Sequence, residues 1–300
     1  MRRGAAQRFS SRQTHQIRAA FLAFQNRVAA LASHSLVTER YAKLSDQVAQ
    51  FRQIMGAVLI QDMRSRFGHS HIGYLIAIAW PLSHIGVITV AYLFRVTIAP
   101  VGDSPTMFIG TGVAPYILCL YPARLVATAI PQNRQLLNIP VIQPLHLIFS
   151  RCILETLNAV IVLALFMSVV GLFDIEIWPT DSAEAAKAIG AAVFLGVGLG
   201  FFNVVMCALV GQFFLVFFIL LMIGLYVFSG VYVPPTAMPE SVREYMAYNP
   251  MLHLVEWLRS AYYTSYDSEL INKSMILWVG GISLTLGLIG ERFLRGKFFS

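Results

Sequence analysis

Charge is scarce in this chain. Only 12% of its 300 residues are Asp, Glu, Lys or Arg, while 57% are hydrophobic. Soluble domains average roughly 25% charged residues, so an ordinary water-soluble globule is excluded and a polytopic membrane protein is expected. Cysteine is scarce too. Cys119, Cys152 and Cys207 lie in or beside apolar runs with no CxxC or Cys/His spacing, which argues for small buried hydrophobes and against disulfides or a zinc site. Also missing are a GxxxxGK[ST] phosphate loop, an HExxH pair and a GxSxG elbow, so no active site is visible and an enzyme is not expected. None of the seven histidines (His15, His34, His69, His71, His84, His146, His253) has a second at helical metal-ligand spacing, and no metal is expected. Within the apolar runs His84 and Glu155 are the ionisable residues nearest mid-membrane, and both can be satisfied by neighbours. A secondary transporter places such groups near mid-membrane, so if this chain moves a solute, the energy comes from elsewhere.

Long apolar runs are abundant. Crossing a ~30 Å hydrocarbon core takes about 20 apolar residues. Candidate spans are 73–97, 108–128, 146–172, 187–207, 212–233 and 274–294, the fourth and fifth parted only by residues around Gly211-Gln212. Six spans put both termini on one side. Eleven of the 22 Lys/Arg precede residue 73, and Arg124, Arg134, Arg151, Arg292, Arg295 and Lys297 fall on the same side. The positive-inside rule makes that side cytoplasmic. Asp103, Asp174, Glu176, Glu240 and most other acids fall opposite.

The N-terminal "MRRGAAQRFSSRQTHQIRAAF" is basic and lacks an apolar core after it. That argues against a secretory signal, although transit peptides share the composition. Ile17, Phe21, Phe24, Val28 and Leu31 form a weak helical stripe. Further on, Val48, Phe51, Met55, Val58 and Met63 recur at helical spacing with Gln47, Gln50, Gln53, Gln61 and Arg64 elsewhere around the helix. This reads as an amphipathic helix on the cytoplasmic leaflet or against a soluble partner. The division expected is a basic cytoplasmic extension (1–45), an interfacial helix (46–72) and a membrane domain (73–300). Ala192, Gly196 and Gly200, four apart, read as a close helix-packing face.

Three stretches carry a family likeness: "QDMRSRFGHSHIGYLIAIAWPLSHIGVI" (61–88), "QNRQLLNIPVIQPLHLIFSRCILETL" (132–157), and Asn249-Pro250 followed by "HLVEWLR". In order and spacing, on a six-span frame over about residues 46–300, the chain resembles the ABC-2 type permeases that export capsular polysaccharide. The resemblance implies an all-α membrane protein of six transmembrane helices in the bacterial inner membrane. It implies a transport subunit, not an enzyme, that pairs with a second copy of itself and with two separate nucleotide-binding ATPase subunits. ATP and Mg would sit on those subunits, and this chain would need no cofactor. It also implies a periplasmic adaptor, an outer-membrane channel and a lipid-linked polysaccharide as substrate, with no nucleic acid. A related permease for O-antigen or a teichoic-acid-like polymer, and more remotely an intramembrane enzyme, are the alternatives.

The site expectations follow. Pro234-Pro235 cannot continue a helix, and irregular backbone at membrane depth needs a protein or water-filled cavity around it. With the family's short helices between spans 5 and 6, 236–272 is expected to be a re-entrant cap turning at Asn249-Pro250, or else a plain periplasmic loop. Between Pro131 and Pro144, Leu136 and Leu137 are expected to be exposed on a short helix and to seek a groove on the ATPase. Asn133, Arg134, Leu136, Leu137 and Asn138 would couple the two proteins. Trp80, Tyr92, Tyr116, Tyr121, Tyr226 and Tyr232 are candidates for a sugar conduit or for an interfacial aromatic belt. Arg64, Arg66, His69 and His71, at headgroup depth, are candidates for receiving the lipid phosphate or for setting topology.

Overall fold

The computed structural model describes Leu22, Ala23, Asn26 and residues 44–299, apart from 68–70, 265, 267 and 269. Apart from Leu22, Ala23, Asn26, Leu44 and Ser45, the expected extension 1–45 lies outside the described residues, and so does its whole stripe of Ile17, Phe21, Phe24, Val28 and Leu31. All regular structure among the described residues is helical. In chain order the helices are α1 (Leu44–Phe67), α2 (His71–Leu93), α3 (Pro105–Val126), α4 (Ala129–Gln132), α5 (Pro144–Gly171), α6 (Ser182–Val210), α7 (Phe214–Val227), α8 (Glu240–Met246), α9 (Pro250–Tyr262) and α10 (Lys273–Phe299). Short 3-10 turns occupy Arg134–Asn138 and Pro235–Ala237.

Local chemistry sets these boundaries. Ser104 caps α3 ahead of Pro105 in the first turn, where a missing N–H costs nothing. Asp181 caps α6 by accepting from Ala183 N (2.9 Å) and Glu184 N (3.0 Å), and its charge suits the positive end of the helix dipole. Gln143 and His146 close a reciprocal capping box on α5. Gly211 ends α6 at φ 94°, a conformation that glycine adopts freely. The break expected near Gly211-Gln212 is there.

Among the described residues, five helices (Gly73–Leu93, Pro105–Val126, Pro144–Gly171, Ser182–Val210, Lys273–Phe298) are long and apolar enough to cross a membrane. The stretch expected to span at 212–233 forms only the 14-residue α7, ~21 Å of helix. The backbone turns at 228–230, ahead of the proline pair.

Helix α6 is the axis of the bundle, packed on α3 and α10. A Cβ on Gly196 would stand 2.6 Å from the Cys119 carbonyl oxygen, and one on Gly200 2.8 Å from Val126 Cβ. The Ala192–Gly196–Gly200 face is thus a packing face, as its spacing predicts. The apolar interior divides into a large cluster and a smaller one, the latter made by α1, α5, the 129–142 segment, Phe201, Val204 and Phe298.

Helix α1 corrects one expectation. Its buried face is Ile54, Met55, Val58 and Asp62, whereas Val48, Phe51, Ile60 and Met63 are exposed. Of the predicted stripe, Met55 and Val58 are buried against the body of the protein, and Phe51, though exposed, keeps its ring 5.4 Å from that of His146 on α5. The apolar arc is wider than one stripe, so one flank packs inward and the adjacent flank is left for another apolar phase.

Candidate functional site

The most concentrated polar chemistry lies where α1, α4 and α5 meet. Arg151, in the second turn of α5, is fully buried and grips Asp62 of α1, itself 1% exposed, with both prongs: Nε donates to Oδ2 at 2.7 Å and a terminal nitrogen to Oδ1 at 2.6 Å. Its other terminal nitrogen donates to Gln132 Oε1 (2.9 Å) and Thr128 Oγ1 (3.3 Å). Asn133 donates to Asp62 Oδ1 (2.5 Å) and to the Ala129 carbonyl (3.1 Å). A bidentate guanidinium–carboxylate pair fixes angle as well as distance, and burial keeps water from competing for either ion. One fork thus ties the amphipathic helix, the loop between α3 and α5, and the start of α5 into a single unit.

This arrangement overturns the premise that Leu136 and Leu137 are exposed. They are 3% and 6% exposed, packed in the smaller cluster with Ile54, Val58, Leu147 and Phe201. The chain's own α1 contributes Ile54 and Val58 to that cluster. Asn133 is buried as well, within the fork, so of the five residues expected to couple, Arg134 and Asn138 are the ones at the surface.

A second buried network lies at the other end of the bundle. Arg259 of α9 is fully buried, with a guanidinium 3.9 Å over the Phe108 ring. It donates to the carbonyls of Gly230 (2.6 Å) and Val231 (2.8 Å). These carbonyls belong to the irregular stretch after α7, which has no helical partners to satisfy them. Glu256, one turn earlier, pairs with Arg259 at 3.8 Å and accepts from Tyr266 (2.7 and 2.8 Å) and Ser268 (2.5 Å). Burial first, and then the Glu256 carboxylate, push the Tyr266 hydroxyl above its ordinary value, so it stays a proton donor. Asn249 completes this region. Its side-chain amide donates to the carbonyls of Leu225 (2.6 Å) and Phe228 (3.0 Å) at the end of α7, while its Oδ1 accepts from Met251 N (2.9 Å). One residue caps the C-terminus of α7 and the N-terminus of α9. Pro234 and Pro250 stand at the starts of the short helices, where proline is tolerated,.

The aromatic candidates fall into two groups. Tyr92, Tyr116 and Tyr226 are buried and Tyr232 is 37% exposed. Tyr116 lies 4.1 Å from Tyr226, and Tyr226 5.7 Å from Tyr232. The Tyr92 hydroxyl reaches the Tyr232 carbonyl at 3.5 Å, so four residues from α2, α3, α7 and the following turn form one ladder. Trp80 and Tyr121 sit apart from it, on a separate cavity with Arg124. Of the basic candidates, Arg64 is exposed on α1. Arg66 ends α1 and His71 opens α2, but their side chains, and the whole of His69, lie outside the described residues. In the sequence Arg151 counts only as a topology charge, and Arg259 is not singled out. The available signal was a charge inside an apolar run one turn from a second polar residue: Arg151 before Glu155, Glu256 before Arg259.

Helices throughout the described residues, five of them of membrane length, with buried charged networks near both ends of the bundle, define a polytopic membrane protein. Residues 134–263 match the ABC-2 type transporter family model. It is similar to the polysialic acid transport protein KpsM of Escherichia coli, 27% identical over 234 residues, which cover 77% of this chain and 90% of that protein. It is also similar to the capsule polysaccharide export inner-membrane protein CtrC of Neisseria meningitidis serogroup B, 26% identical over 254 residues, 84% of this chain and 95% of that protein. The likeness read from the three sequence stretches is borne out along most of the chain.

Proposed function

We propose that this chain is the membrane-spanning subunit of an ATP-driven exporter of lipid-linked capsular polysaccharide in a bacterial inner membrane. The observation that carries the reading is the similarity over 77% and 84% of the chain to two capsule-type export proteins. The working unit on this reading is a homodimer with two nucleotide-binding subunits, to which the periplasmic adaptor and outer-membrane channel are joined. Both termini and the 129–145 loop face the cytoplasm, as the charge asymmetry favours. The division into an extension (1–45), an interfacial helix (46–72) and a membrane domain (73–300) is kept. Helix α1 is interfacial on this reading, with its exposed Val48, Ile60 and Met63 in the headgroup region,. Helix α7 and the turn after it make a shallow fifth crossing of six, and α8 and α9 are re-entrant helices roofing the exit.

Arg134 and Asn138 are the surface contacts for the ATPase, and the Asp62–Arg151 fork passes their displacement to α1 and α5. The tyrosine ladder offers flat faces on which sugar rings slide. The chain supplies no ATP site. Expressed with its ATPase partner in a capsule-deficient strain, it restores surface polysaccharide, and the two proteins co-purify. ATP hydrolysis by the purified chain alone would overturn the reading, as would co-expression that leaves the cell surface bare.

A further inference from the structure

Two of the ionisable side chains in helices of membrane length are met by ion pairs: Arg151 by Asp62, and Glu291 by Arg295. His84 of α2 is in a different position. It is half-buried, and the neighbour it meets is a ring rather than a polar group. That ring is Tyr116 of α3, with centroids 6.2 Å apart and planes at 87°. A ring contact at that distance gives neither imidazole nitrogen a hydrogen bond, and neither nitrogen has another partner among the described residues. A neutral imidazole carries one N–H donor and one bare acceptor nitrogen. Leaving both unmet at membrane depth is costly, which makes the residue a candidate for contact with what passes.

Depth narrows the partner. His84 lies ~20 Å along α2 from His71 and ~14 Å from Leu93,. In a ~30 Å hydrocarbon core, that is beyond the reach of headgroups on either side. Its position in the bundle narrows the partner further. Tyr116 is also a rung of the tyrosine ladder, 4.1 Å from Tyr226, which lies 5.7 Å from Tyr232. Tyr92, at the last turn of α2, joins that ladder through the Tyr232 carbonyl. His84, ~12 Å further in along the same helix, therefore adds a fifth rung at the ladder's inner end. The chemistry decides among ligands. A donor and an acceptor on one small ring match neighbouring sugar hydroxyls, each of which both donates and accepts. An ionised phosphodiester only accepts, and an acyl chain does neither.

We infer that His84 is the hydrogen-bonding contact for sugar hydroxyls in the export path, at the inner end of the tyrosine ladder. The inference rests on the export reading above and names what is recognised at that point: hydroxylated rings, by their hydroxyls and not by charge. The tyrosine faces hold rings by stacking and leave them free to turn. His84 fixes how a ring is turned as it enters the ladder. One neutral hydrogen bond is weak enough to break and form again with the next residue of the polymer. Because either nitrogen serves as the donor, the imidazole accepts successive sugars that present their hydroxyls in different orders.

The test uses the full chain in complex with an ATPase partner that binds ATP without hydrolysing it, in cells making the capsular polymer. His84→p-benzoylphenylalanine places a photoreactive group at this position. Irradiation should join the chain to polymer, seen as a high-mass species that stains for periodate-sensitive glycan. An adduct with phospholipid alone overturns the inference, because position 84 would then face lipid. An adduct with a second copy of the chain also overturns it, because the imidazole would then be a subunit contact. Export per ATP hydrolysed gives the second readout, in a strain lacking its own copy of the chain. His84→Leu should lower it about three- to tenfold, the worth of one neutral hydrogen bond. His84→Phe, which keeps a ring for stacking, should be as poor, whereas His84→Gln, which keeps a donor and an acceptor, should recover much of the loss. Measuring Tm alongside separates lost contact from lost folding. Wild-type export by His84→Leu or His84→Phe sinks the inference and leaves the exporter. A wild-type chain that exports nothing with an active ATPase partner sinks the export reading itself.

Discussion

Replacing Asp62 with alanine removes one side of the fork that joins α1 to α5 and leaves Arg151, fully buried, without its carboxylate. Two bonds of 2.6 and 2.7 Å disappear, and the guanidinium keeps only Gln132 and Thr128. Asn133 loses its 2.5 Å bond to Asp62 and keeps Ala129. Breaking a buried pair from one side costs about 3–5 kcal/mol, because the surviving charge stays desolvated. That is a large part of a total stability of about 5–15 kcal/mol, and it corresponds to a fall in Tm of roughly 6–20 °C. The double variant Asp62→Leu, Arg151→Met removes both charges, and an apolar pair of similar volume is often as stable as the ion pair it replaces. It should therefore recover most of the lost Tm. It should not recover export, since two apolar side chains pack without the fixed angle of the fork. Thermal unfolding of the purified chain, with polysaccharide export and ATP turnover of the complex measured alongside, separates the two effects. An Asp62→Ala chain within about 1 kcal/mol of wild type would refute the energetic argument. A double variant exporting at the wild-type rate would refute the fork as a mechanical link.

Leu136→Asp with Leu137→Asp should prevent accumulation of folded chain, because both charges would enter the smaller core, while Arg134→Ala should leave Tm unchanged and lower export per ATP hydrolysed; unfolding curves and coupled assays check both. Asn249→Ala should cost about 2–3 kcal/mol by uncapping α7 and α9 together, read as earlier hydrogen exchange at 225–230 and 250–253 than elsewhere. Gly196→Val should abolish the α3–α6 contact, since its first added atom already stands 2.6 Å from a backbone oxygen; normal yield and Tm would refute this. Arg259→Lys should loosen the 228–234 turn despite keeping the charge, because a single ammonium cannot span the Gly230 and Val231 carbonyls as the fork does; proteolysis within that turn is the measurement.

Much of the helical frame was legible from residue order alone. Ser104 before Pro105, Asp181 before α6 and Gly211 after it act over one helical turn, so their signals sit in adjacent letters. Membrane-length apolar runs are equally local, because the thickness of the hydrocarbon layer sets them. Spacing gave the Ala192–Gly196–Gly200 face, and the structure supplies the contact that requires it, with Cys119 and Val126. The limit shows at 212–233, where hydropathy continues through Phe228–Val233 but the helix stops at Val227. Hydropathy registers affinity for lipid and does not register where Asn249, more than twenty residues later, takes the terminal carbonyls.

By itself, then, the sequence determined that this chain is a helical membrane protein, where most of its long helices lie, and the ABC-2 likeness of three stretches. Only the tertiary structure decided what covers each surface. Leu136 and Leu137 read equally well as a docking face or as core, because an apolar letter does not say whether lipid, a partner or its own chain will shield it. They are buried in a cluster that draws on α1, about eighty residues earlier, and on Phe201, more than sixty residues later. Arg151 read as a topology signal until Asp62, 89 residues away, was found within 2.7 Å. Trp80, Arg124 and Asn158 come from three helices and share a cavity only because α2, α3 and α5 pack side by side. Periodicity encodes the face of a helix, and long-range packing alone chooses what that face meets.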